Sequence, residues 1–375
     1  MTNKIPKNNI QPILQKEIGP NWFASVMGTA IVANASAGVP FIGYSIRYFG
    51  FAVWLISLLV LVLLSIIMIY QSLTRSHIAK RHFLDPVLSQ FWGAPPMGYL
   101  AVAGGTIIFG HYIFPERVAI DIAWVLFLIG TISGVIIAVV IPYLTFTKHE
   151  HLSDSAFGGW LMPVVSPMVS ATIGSMFIVH MHNLLLQQTL VYMMYACFGL
   201  SLIASIIIIT LIWNRLAHSG SSGGSRVPTL WIVLGPLGQS ITATGALGAA
   251  SLLIFPAPIN QAFFAMGILY GVPIWGFAFL WFCIASLLTL RAIRRKMGFA
   301  LTWWAFTFPV GTCVTGTIQL WLHTHIPVFE YASLFLFAFL LFAWMTASFG
   351  TIQRLPKGHI LHNQINAAPV KGSKN

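Results

Sequence analysis

Charge is what this sequence lacks. Only 7% of its 375 residues are Asp, Glu, Lys or Arg, against about a quarter in a soluble domain, and that scarcity excludes a water-soluble globular fold. From Val227 to Leu290 there is no charged residue at all, a run long enough for two bilayer crossings at roughly 20 residues each. Acid is the scarcest of all. The carboxylates are Glu17, Asp85, Glu116, Asp121, Glu150, Asp154 and Glu330, and all fall in loops or at predicted helix ends. Cation pathways and proton relays usually keep an intramembrane carboxylate, so its absence points away from both. Cysteine is nearly missing too: Cys197, Cys283 and Cys313 lie in apolar spans with no CxxC or Cys/His spacing, which excludes a disulfide framework and a zinc site. The cluster His149-Glu150-His151 has no HxxxH or HxxHH partner, so no metal is expected. With no nucleophile beside a base, no phosphate loop and no nucleotide motif, neither an enzyme nor a bound cofactor is expected.

What is present is apolar and helical. Hydrophobic residues make up 57% of the chain, and the segments cut by Pro, Gly and charge predict an all-α polytopic membrane protein. The spans are expected near 21–42, 48–72, 95–114, 119–146, 160–181, 187–213, 229–255, 260–290, 300–322 and 328–350. An even number of spans puts both ends on one side. All 19 Lys and Arg residues except Arg47 and Arg117 then share that side, which makes both termini cytoplasmic in a cell (inner) membrane. The chain reads as one transmembrane domain, 1–375, with cytoplasmic tails at 1–19 and 351–375. The net charge of +12 lies in loops and tails, where it serves topology and contact with anionic membrane lipid and implies no nucleic-acid partner.

Helix-disturbing residues recur on alternate spans, with marked starts at Pro20, Pro95, Pro163, Pro228 and Trp303. That repeat predicts five helical hairpins, with helix kinks at Pro95, Pro163, Pro167, Pro236 and Pro309. Proline-freed backbone cannot face lipid, so the odd-numbered helices are expected inside. Hydroxyls recur on them at one-turn spacing: Ser25 with Thr29, Ser166 with Ser170, Ser240 with Thr244, Thr312 with Thr315. Together with Gln239, these are expected to line a substrate path, although small residues also mark plain helix packing. A wall of hydroxyls, helix dipoles and free amides suits a small anion. His111, His180, His182, His323 and His325 fall at the opposite ends of the same helices and are candidates for an outer vestibule, against a plain interfacial role.

Four motifs then resemble a known family. Pro20-Asn21-Trp22-Phe23-Ala24-Ser25-Val26-Met27-Gly28-Thr29, Trp160-Leu161-Met162-Pro163-Val164-Val165-Ser166-Pro167, Leu234-Gly235-Pro236-Leu237-Gly238-Gln239-Ser240 and Trp303-Trp304-Ala305-Phe306-Thr307-Phe308-Pro309 resemble the tellurite-resistance/dicarboxylate transporters. That family includes malate permeases, sulfite exporters and slow-type anion channels. The resemblance implies ten helices as five hairpins with quasi-fivefold symmetry around a central pore, a homotrimer with one pore per subunit, and a pore-gating phenylalanine at Phe308. Thr307 stands where that motif often has Ser. The implied substrates are C4-dicarboxylates such as malate, with sulfite or tellurite-type oxyanions and nitrate or chloride as alternatives. A helical membrane sensor or scaffold without a pore is the rival of another class.

Overall fold

The computed structural model describes residues 17–40, 44–150, 154–221 and 224–355. Most of the described residues are helical, and none of them lies in a strand. Most of both expected tails, and His151, lie outside them.

Two kinds of helix alternate along the chain. Five are long: α2 (Tyr44–Thr74), α5 (Glu116–Thr147), α7 (Leu184–Ser219), α9 (Ile259–Arg294) and α11 (Pro327–Arg354). Five are short: α1 (Phe23–Ser36), α4 (Ala94–Phe109), α6 (Met162–Met176), α8 (Leu234–Ser251) and α10 (Phe308–Thr324). An eleventh, α3 (Ser76–Leu84), is amphipathic, burying Ile78 and His82, and the hydropathy pattern did not reveal it.

The long helices are plain apolar stretches with ordinary ends. Asn183 Oδ1 caps α7 by accepting from Leu186 N at 3.1 Å, and Gly220 just beyond it has φ 72°, a conformation glycine adopts without strain. Glu116 and Glu330 sit in the first turns of α5 and α11, where the helix dipole favours an acid.

Each short helix is entered through a 3-10 segment: Pro20–Trp22, Leu88–Gly93, Gly158–Leu161, Gly224–Val233 and Leu301–Phe306. This corrects the proline reading. Pro95, Pro163 and Pro309 occupy the first or second helical position, and Pro236 is third in α8. There a missing N–H costs nothing, so these prolines start helices and kink none. Pro167 does lie inside α6, but the other interior prolines, Pro142 and Pro273, belong to the long helices.

The two kinds also differ in burial. Six stretches are long and apolar enough to cross a membrane alone: five in α2, α5, α7, α9 and α11, the sixth Arg226–Ser251 ending in α8. The first five bury 22% to 39% of their most apolar windows, whereas Arg226–Ser251 buries 94%. The long helices thus present apolar flanks to lipid and the short ones are enclosed. At roughly 1.5 Å per residue, the 14 residues of α1 fall short of a hydrocarbon core of about 30 Å, which is why α1, α4, α6 and α10 do not qualify by α-helix length.

Helix contacts follow a closed order. Each short helix packs against the long one after it, and α1 touches α4, α4 touches α6, α6 touches α8, α8 touches α10, and α10 returns to α1. Indole-to-hydroxyl bonds tie the two layers: Trp344 Nε1 to Thr29 Oγ1 (3.1 Å), Trp275 Nε1 to Thr317 Oγ1 (3.0 Å), Trp304 Nε1 to Thr351 Oγ1 (3.0 Å) and Trp231 Nε1 to Thr289 Oγ1 (2.8 Å). Each satisfies a buried or partly buried polar pair for which lipid offers no partner.

Candidate functional site

Two cavities lie along the ring of short helices. The larger, about 450 Å³, is lined from the starts of all five: Ala24 and Met27 of α1, Met97 of α4, Met162 and Val165 of α6, Gly235 of α8, Phe308 and Pro309 of α10. The positive ends of five helix dipoles therefore converge on one space, which favours negative charge there. Its mouth carries Asp85, Glu150 and Arg226. Asp85 Oδ1 accepts from Val87 N at 2.9 Å and Leu88 N at 2.6 Å, which fixes the turn that leads towards α4.

The smaller cavity, about 270 Å³, is lined by the later turns: Asn34, Ala101, Val169, Thr172, Gln239, Thr242, Thr315 and Gln319 among others. Its polar groups are neutral and interlinked. Gln239 Nε2 donates to Thr172 Oγ1 at 2.8 Å, Thr242 and Thr315 share a hydroxyl bond of 2.8 Å, and Asn34 Nδ2 donates to Ala101 O at 2.9 Å. Amide and hydroxyl dipoles of this kind replace part of an ion's hydration without trapping it, as a fixed counter-charge would.

Phe308 borders both cavities. Its side chain is 2% exposed, and it opens α10 directly after Thr307, whose hydroxyl donates to Trp304 O at 2.7 Å.

The expected hydroxyl path separates into two groups. Gln239 and Thr315 line the smaller cavity. The others line neither cavity and are engaged in packing. Ser25 Oγ donates to Trp22 O (2.7 Å) and Thr29 accepts the Trp344 indole. Ser166 Oγ donates to Gly93 O (3.1 Å), and Ser170 accepts from Thr131 (3.0 Å). Ser240 Oγ donates to Leu237 O (2.8 Å) and Thr244 Oγ1 to Ser240 O (2.9 Å). Thr312 Oγ1 reaches Pro309 O (2.7 Å) and, across the helix pair, Gly235 O (3.2 Å). A hydroxyl bonded to its own preceding turn leaves a small residue against which a neighbour packs closely. One-turn periodicity found the buried face of each helix, and that face meets a neighbour more often than a void.

Asn34, Thr172, Thr242 and Gln319, with Arg226 at the other mouth, escaped the sequence reading. Asn34 and Gln319 were visible as isolated amides in apolar helices, a signal worth weighing.

The histidines lie at the far ends of the short helices and line neither cavity. His111 and His182 are exposed, His111 lying beside Tyr112 with ring centroids 4.2 Å apart. His180 Nδ1 is 4.0 Å from Glu116 Oε1. His323 donates from Nδ1 to Gln319 O at 2.8 Å and stacks on Phe264 at 4.3 Å. His325 ends α10 in the left-handed region, φ 54°.

An all-helical membrane protein whose enclosed helices hold two chambers with one aromatic residue bordering both is, by class, a transporter or channel. The chain belongs to the voltage-dependent anion channel family, which matches residues 17–352. It is 27% identical over 319 residues to a sulfite efflux pump of Trichophyton rubrum, covering 83% of this chain and 84% of that one. To an uncharacterized transporter of Methanocaldococcus jannaschii it is 24% identical, over 94% of this chain and 98% of that one. To the malic acid transport protein of Schizosaccharomyces pombe it is 21% identical, over 80% and 70%. Anion transport is the business of this family, and the resemblance read from the four motifs is confirmed.

Proposed function

We propose that this chain carries small anions across the cell membrane through the axis of its five short helices, past Phe308. In this reading ten helices cross the bilayer as five hairpins with quasi-fivefold symmetry, the 3-10 segments completing the span of each short helix. Both termini are cytoplasmic, the larger cavity opens to the cytoplasm, and three copies assemble with one path each.

The observation that carries the reading is Phe308 bordering both cavities while five helix N-termini face the larger one. An anion gathers at the dipole ends, meets the ring, and passes to the amides and hydroxyls of Gln239, Thr315 and their neighbours. For Phe308→Ala, the expected result in proteoliposomes with correctly inserted protein is a rise in anion flux; unchanged flux sinks the gate assignment.

For the substrate, the motifs suggest C4-dicarboxylates such as malate. The higher identity to proteins named sulfite efflux pumps favours sulfite as the second reading. Competition uptake with malate, sulfite, nitrate and tellurite on one preparation ranks them.

A further inference from the structure

Arg226 stands in the Gly224–Val233 segment that leads into α8 and lines the larger cavity. It is the only Lys or Arg among the described residues that do so; the other charged residues there are Asp85 and Glu150. Its side chain is half-buried, with the guanidinium 5.8 Å from the centroid of the Phe157 ring, and Phe157 also lines the cavity. Among the described residues no carboxylate pairs with it. Asp85 is committed to its own turn.

A guanidinium carries five donors in a rigid fork, matched to carboxylate and to oxyanions of similar geometry, and it cannot lose its charge. An aromatic face holds such a group in place without using those donors. The buried Arg215 at the end of α7 adds a second positive charge that interacts with Arg226, with Asp154 as an opposing charge.

We infer that Arg226 is the specificity-determining residue of the larger cavity: it captures one carboxylate or oxyanion group of the incoming ion before that ion reaches Phe308. The inference rests on the transport reading and extends it to recognition. Capture at the mouth raises local anion concentration and orients the ion towards the helix N-termini, where N–H groups take over. Glu150, exposed at the same mouth, works against capture. The balance of Arg226 against Glu150 and Asp85 sets the affinity.

The test uses the full chain in two assays, with malate and sulfite as probes. One is calorimetric titration in detergent; the other is flux into proteoliposomes against probe concentration on the cytoplasmic side. Arg226→Gln is expected to raise the dissociation constant and the half-saturating concentration by about tenfold, with saturating flux nearly unchanged. Arg226→Lys restores only part, because an ammonium lacks the fork. Glu150→Gln is expected to shift both constants the opposite way, by about threefold. A purely structural role for Arg226 predicts loss of folded protein and no opposite effect at Glu150. Wild-type flux with constants unmoved by Arg226→Gln overturns this inference and leaves transport standing. Wild-type binding that Arg226→Gln abolishes, with no flux from any variant, upholds the capture site and overturns transport; absence of both binding and flux in the wild type overturns both.

Discussion

Gly28 of α1 faces Thr307, the residue that precedes Phe308: a methyl group built on Gly28 collides with the Thr307 hydroxyl and lies 2.8 Å from the Trp304 ring. The first helix and the last short helix therefore meet at the base of the candidate gate, and glycine is what lets them meet.

Gly28→Ala is expected to destabilise the protein by roughly 1–3 kcal/mol, the usual range for overpacking a close contact. Adding Thr307→Ala removes the nearest clashing atom and recovers part of the loss. Thermal unfolding of the two single variants and the double variant forms the cycle. Additive losses would show that the two residues are not in contact.

Trp344→Phe keeps an aromatic side chain, smaller than the indole, and deletes the N–H that Thr29 accepts at 3.1 Å. The cost expected is about 1 kcal/mol, and Thr29→Val costs a similar amount with little change in flux. Because both variants break one bond, their double variant loses no more than either alone. A large flux change from Thr29→Val at unchanged melting temperature returns Thr29 to the substrate path.

Gln71 holds the backbone just before the first helix. Its Oε1 accepts from Ile18 N and its Nε2 donates to Ile18 O, both at 3.0 Å, with Gln71 and Ile18 at 7% and 5% exposure. Gln71→Leu strands two buried backbone groups, at about 1–3 kcal/mol each. Amide hydrogen exchange at Ile18 is expected to rise well above wild type. Gln71→Glu keeps the acceptor alone and falls between them, and equal protection in all three proteins contradicts the clamp.

His82 makes α3 sensitive to acid. Burial holds its imidazole below the ordinary 6.5; Glu17 opposes that shift, Arg81 adds to it, and Asp85 opposes it more weakly. The docked helix thus binds fewer protons than the undocked one, so its stability is full above pH 6.5 and declines as pH falls through that value. The protection factors of amides across Ser76–Leu84, exchange rates corrected for their intrinsic pH dependence, should fall between about pH 7.5 and 5.5 in wild type, and His82→Leu should lose that fall.

Much of the fold was legible in the residues. All ten expected spans contain a helix, and the alternation of spans marked by Pro and Gly with plainer ones became the alternation of enclosed and lipid-facing helices. The prolines were misplaced in detail, since a proline reads the same from sequence whether it starts a helix, as Pro309 does, or interrupts one, as Pro167 does. The short α3 was missed because nine residues with only Ile78 and His82 buried give no apolar run.

The candidate site was half legible. Phe308 was named through a motif and lies where the two cavities adjoin, and Gln239 and Thr315 border the smaller one. Ser166, Ser240 and Thr312 shared the same one-turn spacing and became packing residues.

Sequence alone determined that this chain lives in a bilayer, that its helices alternate in kind, and that its few carboxylates fall in loops or near helix ends, because solvation by lipid acts on composition and run length before any fold exists. Tertiary structure decided which hydroxyls meet a neighbouring helix and which meet empty space, and which cation lines the larger cavity. Those outcomes depend on how closely helices far apart in the chain approach, and an approach distance is a property of pairs that periodicity along one segment does not contain.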